Sequence, residues 1–283
     1  MLLILDCNCI CHAAMYIMKG LSYKDKQTGV IFGFLKRLLS FGVQFKPDAV
    51  VFAWDSKSSI RKKEYPDYKA NRKKSDLSEE EKELLDVSFA QFDELREGVL
   101  PRIGFRNVFM WEGYEADDII ANVVKERFRF EKEMVVVTTD DDLYQLLDLC
   151  SLWDPYKKRL YTRADFIKEW GIDPIEWSMV KCLAGCSSDN VRGISGVGYK
   201  TAAKYLRKEL SSNSKVYKKI ESEKSKFCEV NFPLVHLPKK VKTFPIFNDS
   251  FNIDEFEQVC EAYGFYSFLK KDVLKKWAKC FGG

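Results

Sequence analysis

Residues 49–55 read AVVFAWD, six apolar side chains in a row and then an aspartate. A half-buried strand alternates apolar and polar residues, because successive side chains point to opposite faces of the sheet. This run does not alternate, which predicts a strand covered on both faces, the usual state inside a parallel sheet. LLIL at 2–5, NVFMW at 107–111 and MVVVTT at 134–139 look the same. Between them, residues 30–41, 78–97 and 115–129 carry helical spacing. The second of these opens with Ser78 and Glu81 in capping-box register and then stripes Leu84, Leu85, Phe89, Phe92 and Leu95 along one side. Strands alternating with helices predict an α/β fold with a mostly parallel central sheet flanked by helices. LCSLW at 149–153 and residues 159–161 are expected to add a strand pair at the sheet edge. From about 162 the pattern turns helical, with helices expected at 165–170, at 174–184 and from 201.

Each predicted strand runs into acid. Asp6 follows the first, Asp55 the second, and Asp140, Asp141 and Asp142 the fourth. Glu115, Asp117 and Asp118 come four to seven residues after the third, at a helix start. A single acid there is an ordinary helix cap. Four acidic strand ends in succession are harder to explain as caps, because in a parallel sheet those ends share one edge. Converging carboxylates repel unless cations neutralise them, and hard oxygen ligands select Mg²⁺ or Mn²⁺. Two such ions about 4 Å apart are a device for phosphodiester hydrolysis.

The segment CNCICH at 7–12 offers a rival metal set. Its alternating cysteines lack the paired spacing of a zinc site, and no distant pair completes it. Nine cysteines without a framework read as reduced thiols. No apolar run approaches the roughly 20 residues needed to span a bilayer, and MLLIL has no basic leader. A cytoplasmic, monomeric protein is therefore expected, without a membrane partner.

The net charge is only +4, but basic residues are unevenly placed. Lys57, Arg61, Lys62, Lys63, Lys69, Arg72, Lys73 and Lys74 fall in one stretch with Tyr65 and Tyr68, against only Glu64 and Asp67. A solvated loop is the plain reading; a phosphate backbone and its bases are the other. Further on, NVRGISGVGYKTAAKYL carries a glycine-rich turn. Tyr199 separates Gly198 from Lys200, which spoils a nucleotide-binding P-loop, and a third dinucleotide-motif glycine is missing. With a helix expected on each side, the turn reads as a helix–hairpin–helix contact to a DNA backbone.

Taken in order, ILDCN, FAWD, YPDYKANR, GYEADDI, TTDDDL and GCSSDNVRGISGVGYKTA resemble the 5′-nuclease family. That family includes flap endonucleases, phage 5′–3′ exonucleases and the 5′-nuclease domain of bacterial DNA polymerase I. The resemblance covers roughly residues 1–210. It implies a PIN-like nuclease core at 1–170 with a basic helical arch at about 66–104. A helix–hairpin–helix and C-terminal helical region would follow at 171–283. It implies a first metal held by Asp6, Asp55, Glu115, Asp117 and Asp118, directly or through water, and a second held by Asp140, Asp142 and Asp189. Tyr68, Lys69 and Arg72 would serve the scissile phosphate, with Arg61 as a further basic contact. Gly193, Gly196, Gly198 and Lys200 would grip duplex DNA, with K⁺ on backbone carbonyls.

The implied activity is Mg²⁺-dependent cleavage of DNA at 5′ flaps, ends or branches in replication or repair, with Mn²⁺ able to substitute and a replicative polymerase as partner. Asp141 falls where relatives often have glycine and is not among the implied ligands. Ala13 stands where some relatives have arginine, with His12 beside it. The family's GDxxDN reads Gly185-Cys186-Ser187-Ser188-Asp189-Asn190 here, so a thiol replaces a carboxylate at the second metal. A branched-DNA-binding protein that cuts poorly is the alternative this raises. An RNA-cutting PIN-like enzyme is a third reading, without support from the hairpin motif.

Overall fold

A computed structural model describes residues 1–72, 77–131 and 133–282; Lys73 and Lys74 of the basic stretch lie outside them. The six-stranded sheet comprises β1 (Leu2–Asp6), β4 (Ala49–Trp54), β5 (Val108–Met110), β6 (Met134–Val137), β7 (Ser151–Asp154) and β8 (Arg159–Tyr161). A small hairpin, β2 (Ser22–Tyr23) and β3 (Lys26–Gln27), stands apart from it. The strand order is β5-β4-β1-β6-β7-β8, parallel throughout except at the β7–β8 edge. The expected edge pair is therefore present, with its two strands antiparallel.

Absence of alternation in the strands has the predicted cause. Leu3, Leu5, Val50, Phe52, Val135 and Val137 point into one apolar layer. Leu2, Ile4, Val51, Ala53, Met134 and Val136 point into the other. The first layer is covered by α1 (Cys7–Ile17), α2 (Gly29–Phe45) and α4 (Glu79–Glu94), the short α3 (Ile60–Glu64) lying nearer the acidic edge. The Ser78–Glu81 capping box starts α4 as expected. A π-helical turn over Leu95–Val99 then leads into α5 (Leu100–Arg102), where Pro101 has no N–H for the regular ladder.

The second layer carries α6 (Ala116–Arg127), α7 (Arg163–Trp170), α8 (Trp177–Ala184), α9 (Tyr199–Leu206) and α10 (Lys215–Val235). Between α8 and α9, β9 (Gly185–Cys186) pairs with β10 (Val191–Arg192), a two-residue ladder that sequence periodicity does not reveal. The last helices, α11 (Ile253–Tyr263) and α12 (Lys271–Phe281), return to the first layer, where Phe256, Trp277 and Phe281 join the core of α2. Gly42 makes that docking possible: a Cβ there would lie 2.4 Å from the Phe281 ring. Among the described residues, no helix is long and apolar enough to cross a membrane.

Candidate metal centre and nucleic-acid interface

The carboxyl ends of β1, β4 and β6 and the start of α6 open onto one cavity of about 670 Å³. Asp6, Asp55, Glu115, Asp117, Asp140, Asp141, Asp142 and Asp189 line it, with Lys69 and Arg72 among them. The fold explains how residues so distant in sequence meet: parallel strands deliver their following residues to the same edge.

Asp6 and Asp55 are held in place by hydrogen bonds. Asp6 caps α1, its Oδ1 accepting from the Cys9 N–H at 3.1 Å and its Oδ2 from the Thr138 hydroxyl at 2.9 Å. Asp55 Oδ1 accepts from the Ala116 N–H at 2.7 Å, tying β4 to the start of α6. Asn8 Oδ1 accepts from the Asp55 N–H at 3.1 Å. The cysteine-rich segment therefore supports the site without binding as a set. Cys7 and Cys11 are buried in the core, and the Cys9 thiol lies 3.3 Å from the Thr139 hydroxyl.

Electrostatics favour a cation. Burial, then the neighbouring Asp55 carboxylate, pushes Asp6 up to about 6. Burial and then Asp142 push Asp140 up to about 8, and burial and Asp118 carry Asp117 well above the ordinary carboxylate range. Asp117 Oδ1 is buried with no hydrogen-bond partner, the condition a metal ion would relieve. Glu115 goes the other way. Burial raises it, but Lys69 and Arg61 outweigh that and hold it below its usual value.

These shifts fix a sign. Acids with raised folded values keep protons that the unfolded chain releases above about pH 4. The metal-free protein is therefore expected to lose stability as pH rises from about 4 to about 8, with Glu115 alone of these acids opposing the slope. A divalent ion replaces the protons, so about 10 mM Mg²⁺ should raise the melting temperature by several degrees more at pH 8 than at pH 5. Thermal melts in EDTA and in Mg²⁺ across that range check it; equal gains at both pH values would contradict it.

The basic side chains already touch acids. Lys69 Nζ lies 2.8 Å from Glu115 Oε2 and 4.0 Å from Asp189 Oδ1, and Arg72 Nη2 lies 2.7 Å from Asp189 Oδ1. Lys69 sits in the left-handed region at φ 54°, its N–H donating to the Asp189 carbonyl. That turn brings the YKANR segment over the cavity. The Tyr68 hydroxyl donates to Glu115 Oε2 at 3.0 Å and reaches Asp189 Oδ2 at 3.5 Å. Tyr68 is itself buried and kept un-ionised, first by burial and then by Glu115. It stands behind the acids rather than in the open cavity.

Two expectations need correction. Asp118 is fully buried, and its oxygens are occupied by both Arg61 amino nitrogens, at 2.5 and 2.8 Å, and by the Lys239 N–H at 2.6 Å. It faces away from the cavity and is not placed to hold the metal. Arg61 is 2% exposed, with Nε donating to the Leu234 carbonyl, so it is not presented to DNA. Together they form an internal clasp between α3, α6 and the end of α10. Arg61→Ala is expected to destabilise the protein by about 3–5 kcal/mol, because it strands a buried carboxylate. Urea denaturation measures this; an unchanged midpoint together with weaker DNA binding would restore the surface role.

The glycine-rich turn lies apart from the acids. Gly193 packs against the backbone of residues 184 and 185, where a Cβ would come within 2.1 Å of the Ala184 carbonyl. Gly196, at φ 83°, and Gly198 face open space, and Lys200 is exposed beside them. Asn231 on α10 braces the turn by donating to the carbonyls of Cys182 and Arg192, each at 2.8 Å. Cys186 is buried yet touches the cavity, its thiol 3.0 Å from the Ser188 hydroxyl.

Sequence reading missed one site residue. Lys181 on α8 reaches Asp141 and Asp142, and the only signal was a lone charge in the largely apolar octet WSMVKCLA. His12 lines the cavity as well, with its ring edge-on to Phe89 and Phe92.

An acid-lined edge of a parallel sheet, faced by a basic turn and joined to a braced glycine hairpin, defines a resolvase-like protein of the 5′-nuclease type. Residues 1–171 match the family model described as 5′-3′ exonuclease, N-terminal resolvase-like domain, and the chain belongs to that family. It is 32% identical over 241 residues to a DNA polymerase I of Caldicellulosiruptor bescii, covering 81% of this chain and 26% of that one. It is 37% identical over 186 residues to a 5′-3′ exonuclease of Bacillus subtilis, covering 64% of this chain and 59% of the other. The chain thus spans only about a quarter of the polymerase. In fold it is similar to the bacteriophage T5 D15 flap endonuclease crystallised with DNA and metal ions. The TM-score is 0.71 at 23% identity, over 98% of this chain and 96% of that one.

Proposed function

We propose that this chain is a divalent-metal-dependent nuclease that hydrolyses DNA phosphodiesters at 5′ flaps, ends or branches. The observation that carries this reading is the convergence of eight carboxylates from across the sequence on one cavity, together with Lys69 and Arg72. The names of the matched relatives, an exonuclease, a polymerase and a flap endonuclease, support it.

The donor set is all oxygen, which suits Mg²⁺, with Mn²⁺ as a substitute. Asp6, Asp55, Glu115 and Asp117 would hold one ion, and Asp140, Asp142 and Asp189 a second. Such ions supply an activated water and a stabilised leaving oxygen. Cys186 removes one carboxylate from the second set, yet three acids remain at the cavity, so the departure weakens the site without emptying it. Lys69 and Arg72 neutralise phosphate charge, leaving Glu115 and Asp189 to do so. Tyr68 fixes the orientation of those two acids. The Gly193–Lys200 turn holds duplex backbone through exposed N–H groups and Lys200, with K⁺ on its carbonyls, and the enzyme serves a DNA polymerase.

The experiment is cleavage of a 5′-labelled flap substrate with Mg²⁺, Mn²⁺ or EDTA, beside an RNA strand of the same sequence. Metal-dependent release of the DNA flap is the expected result. Binding without cleavage in either metal would overturn the reading.

A further inference from the structure

Lys181 is 1% exposed, but its ammonium borders the acidic cavity. Nζ lies 2.5 Å from Asp141 Oδ1 and 2.7 Å from Asp142 Oδ1. On its other sides are two aromatic faces, with the Tyr199 ring centroid at 5.2 Å and that of Trp177 at 5.9 Å. Burial works against the charge on this lysine, but Asp142 and Asp141 outweigh it and keep the ammonium protonated. The carboxylates it touches belong to a group of three, Asp140, Asp141 and Asp142, with ligand oxygens all within 4.8 Å of one another. A divalent ion approaching Asp142 therefore meets a cation already on the same carboxylate.

We propose that Lys181 is a positioning residue that competes with a divalent ion for Asp142 and so sets how tightly the second ion is held. This rests on the metal-dependent reading above. The surroundings supply the place the ammonium takes when displaced. Asp141, at 38% exposure, stands nearer the cavity mouth than Asp142, at 13%, and the faces of Tyr199 and Trp177 attract a cation. Lys181 thus need only exchange one carboxylate while keeping the other. No carboxylate at position 186 draws it elsewhere. The second ion is consequently weak in the free protein and strengthens when a substrate phosphate adds charge.

The test is calorimetric titration of the full, substrate-free chain with Mn²⁺. Lys181→Met keeps the length of the side chain and removes its charge. Binding of the weaker ion should tighten about tenfold in this variant, as a close like-charge repulsion is lost. A merely structural lysine would leave that affinity unchanged or lower it, and either result would overturn the proposal. Tyr199→Leu covers the case in which Lys181→Met does not fold. It removes one face of the displaced position and should weaken the same ion about threefold; no change would again overturn it. The two readings fail separately. A wild-type chain that binds no Mn²⁺ defeats the metal-dependent function itself, whereas normal binding that ignores position 181 defeats only the competition.

Discussion

Asp55→Asn is expected to lower flap cleavage by at least about 10³-fold, roughly 4 kcal/mol of transition-state stabilisation, while leaving DNA affinity nearly unchanged. The reasons are local. Asp55 Oδ1 accepts from the Ala116 N–H at 2.7 Å, a bond that the asparagine carbonyl can also accept, so the β4–α6 junction should persist. The negative charge that would hold a divalent ion between β1 and α6 is removed. Burial, and then Glu115, raise Asp55, and the Asp55 charge in turn raises Asp6, so losing this charge also relieves repulsion towards Asp6 and towards an incoming phosphate. Single-turnover cleavage in Mg²⁺, alongside binding measured in Ca²⁺, separates the two effects. Near-normal turnover would remove Asp55 from the first metal set.

Lys69→Ala should lower kcat by about 10²- to 10³-fold with little change in duplex affinity, the pattern of a group that acts on charge developing at the reacting phosphate. In the substrate-free protein its ammonium rests on Glu115 at 2.8 Å, within reach of Asp189, so it is already aimed at the position where metal and phosphate would meet. Lys200→Ala should do the opposite. It is exposed at the start of α9, beside the glycine turn, and does not line the acidic cavity, so its loss should weaken binding and reduce the salt slope by about one. Kinetics for the two variants at several salt concentrations make the comparison. Matching profiles would mean that the proposed division between gripping and cutting is wrong.

The sheet was legible because burial on both faces leaves a plain mark: AVVFAW and MVVV have no polar position to spend on solvent. Its acidic edge was legible for a related reason, since parallel strands place whatever follows them on one side. What could not be read was orientation. Asp117 and Asp118 are adjacent in sequence on α6, and about 100° of helical rotation sends one to the cavity and the other to Arg61. Arg61 likewise belongs to a run of exposed cations, and only its partner, 57 residues away, reveals that it points inward. The β2–β3 and β9–β10 ladders are too short for any period to show. Lys181 was overlooked because its role depends on Asp141 and Asp142, which approach from another element.

The return of α12 to α2 imposes an order on how the chain can mature during synthesis. The layer that holds Leu3, Phe34 and Phe52 is closed by Phe256, Trp277 and Phe281, more than 200 residues later. Until those aromatics leave the ribosome, one side of α2 has nothing to cover it, and contacts of that sequence separation form slowly. The first strands emerge early but must wait in an open, sticky state for the last helix. A ribosome stalled before residue 253 should therefore display a nascent chain that binds chaperones and is readily cut by protease near α2.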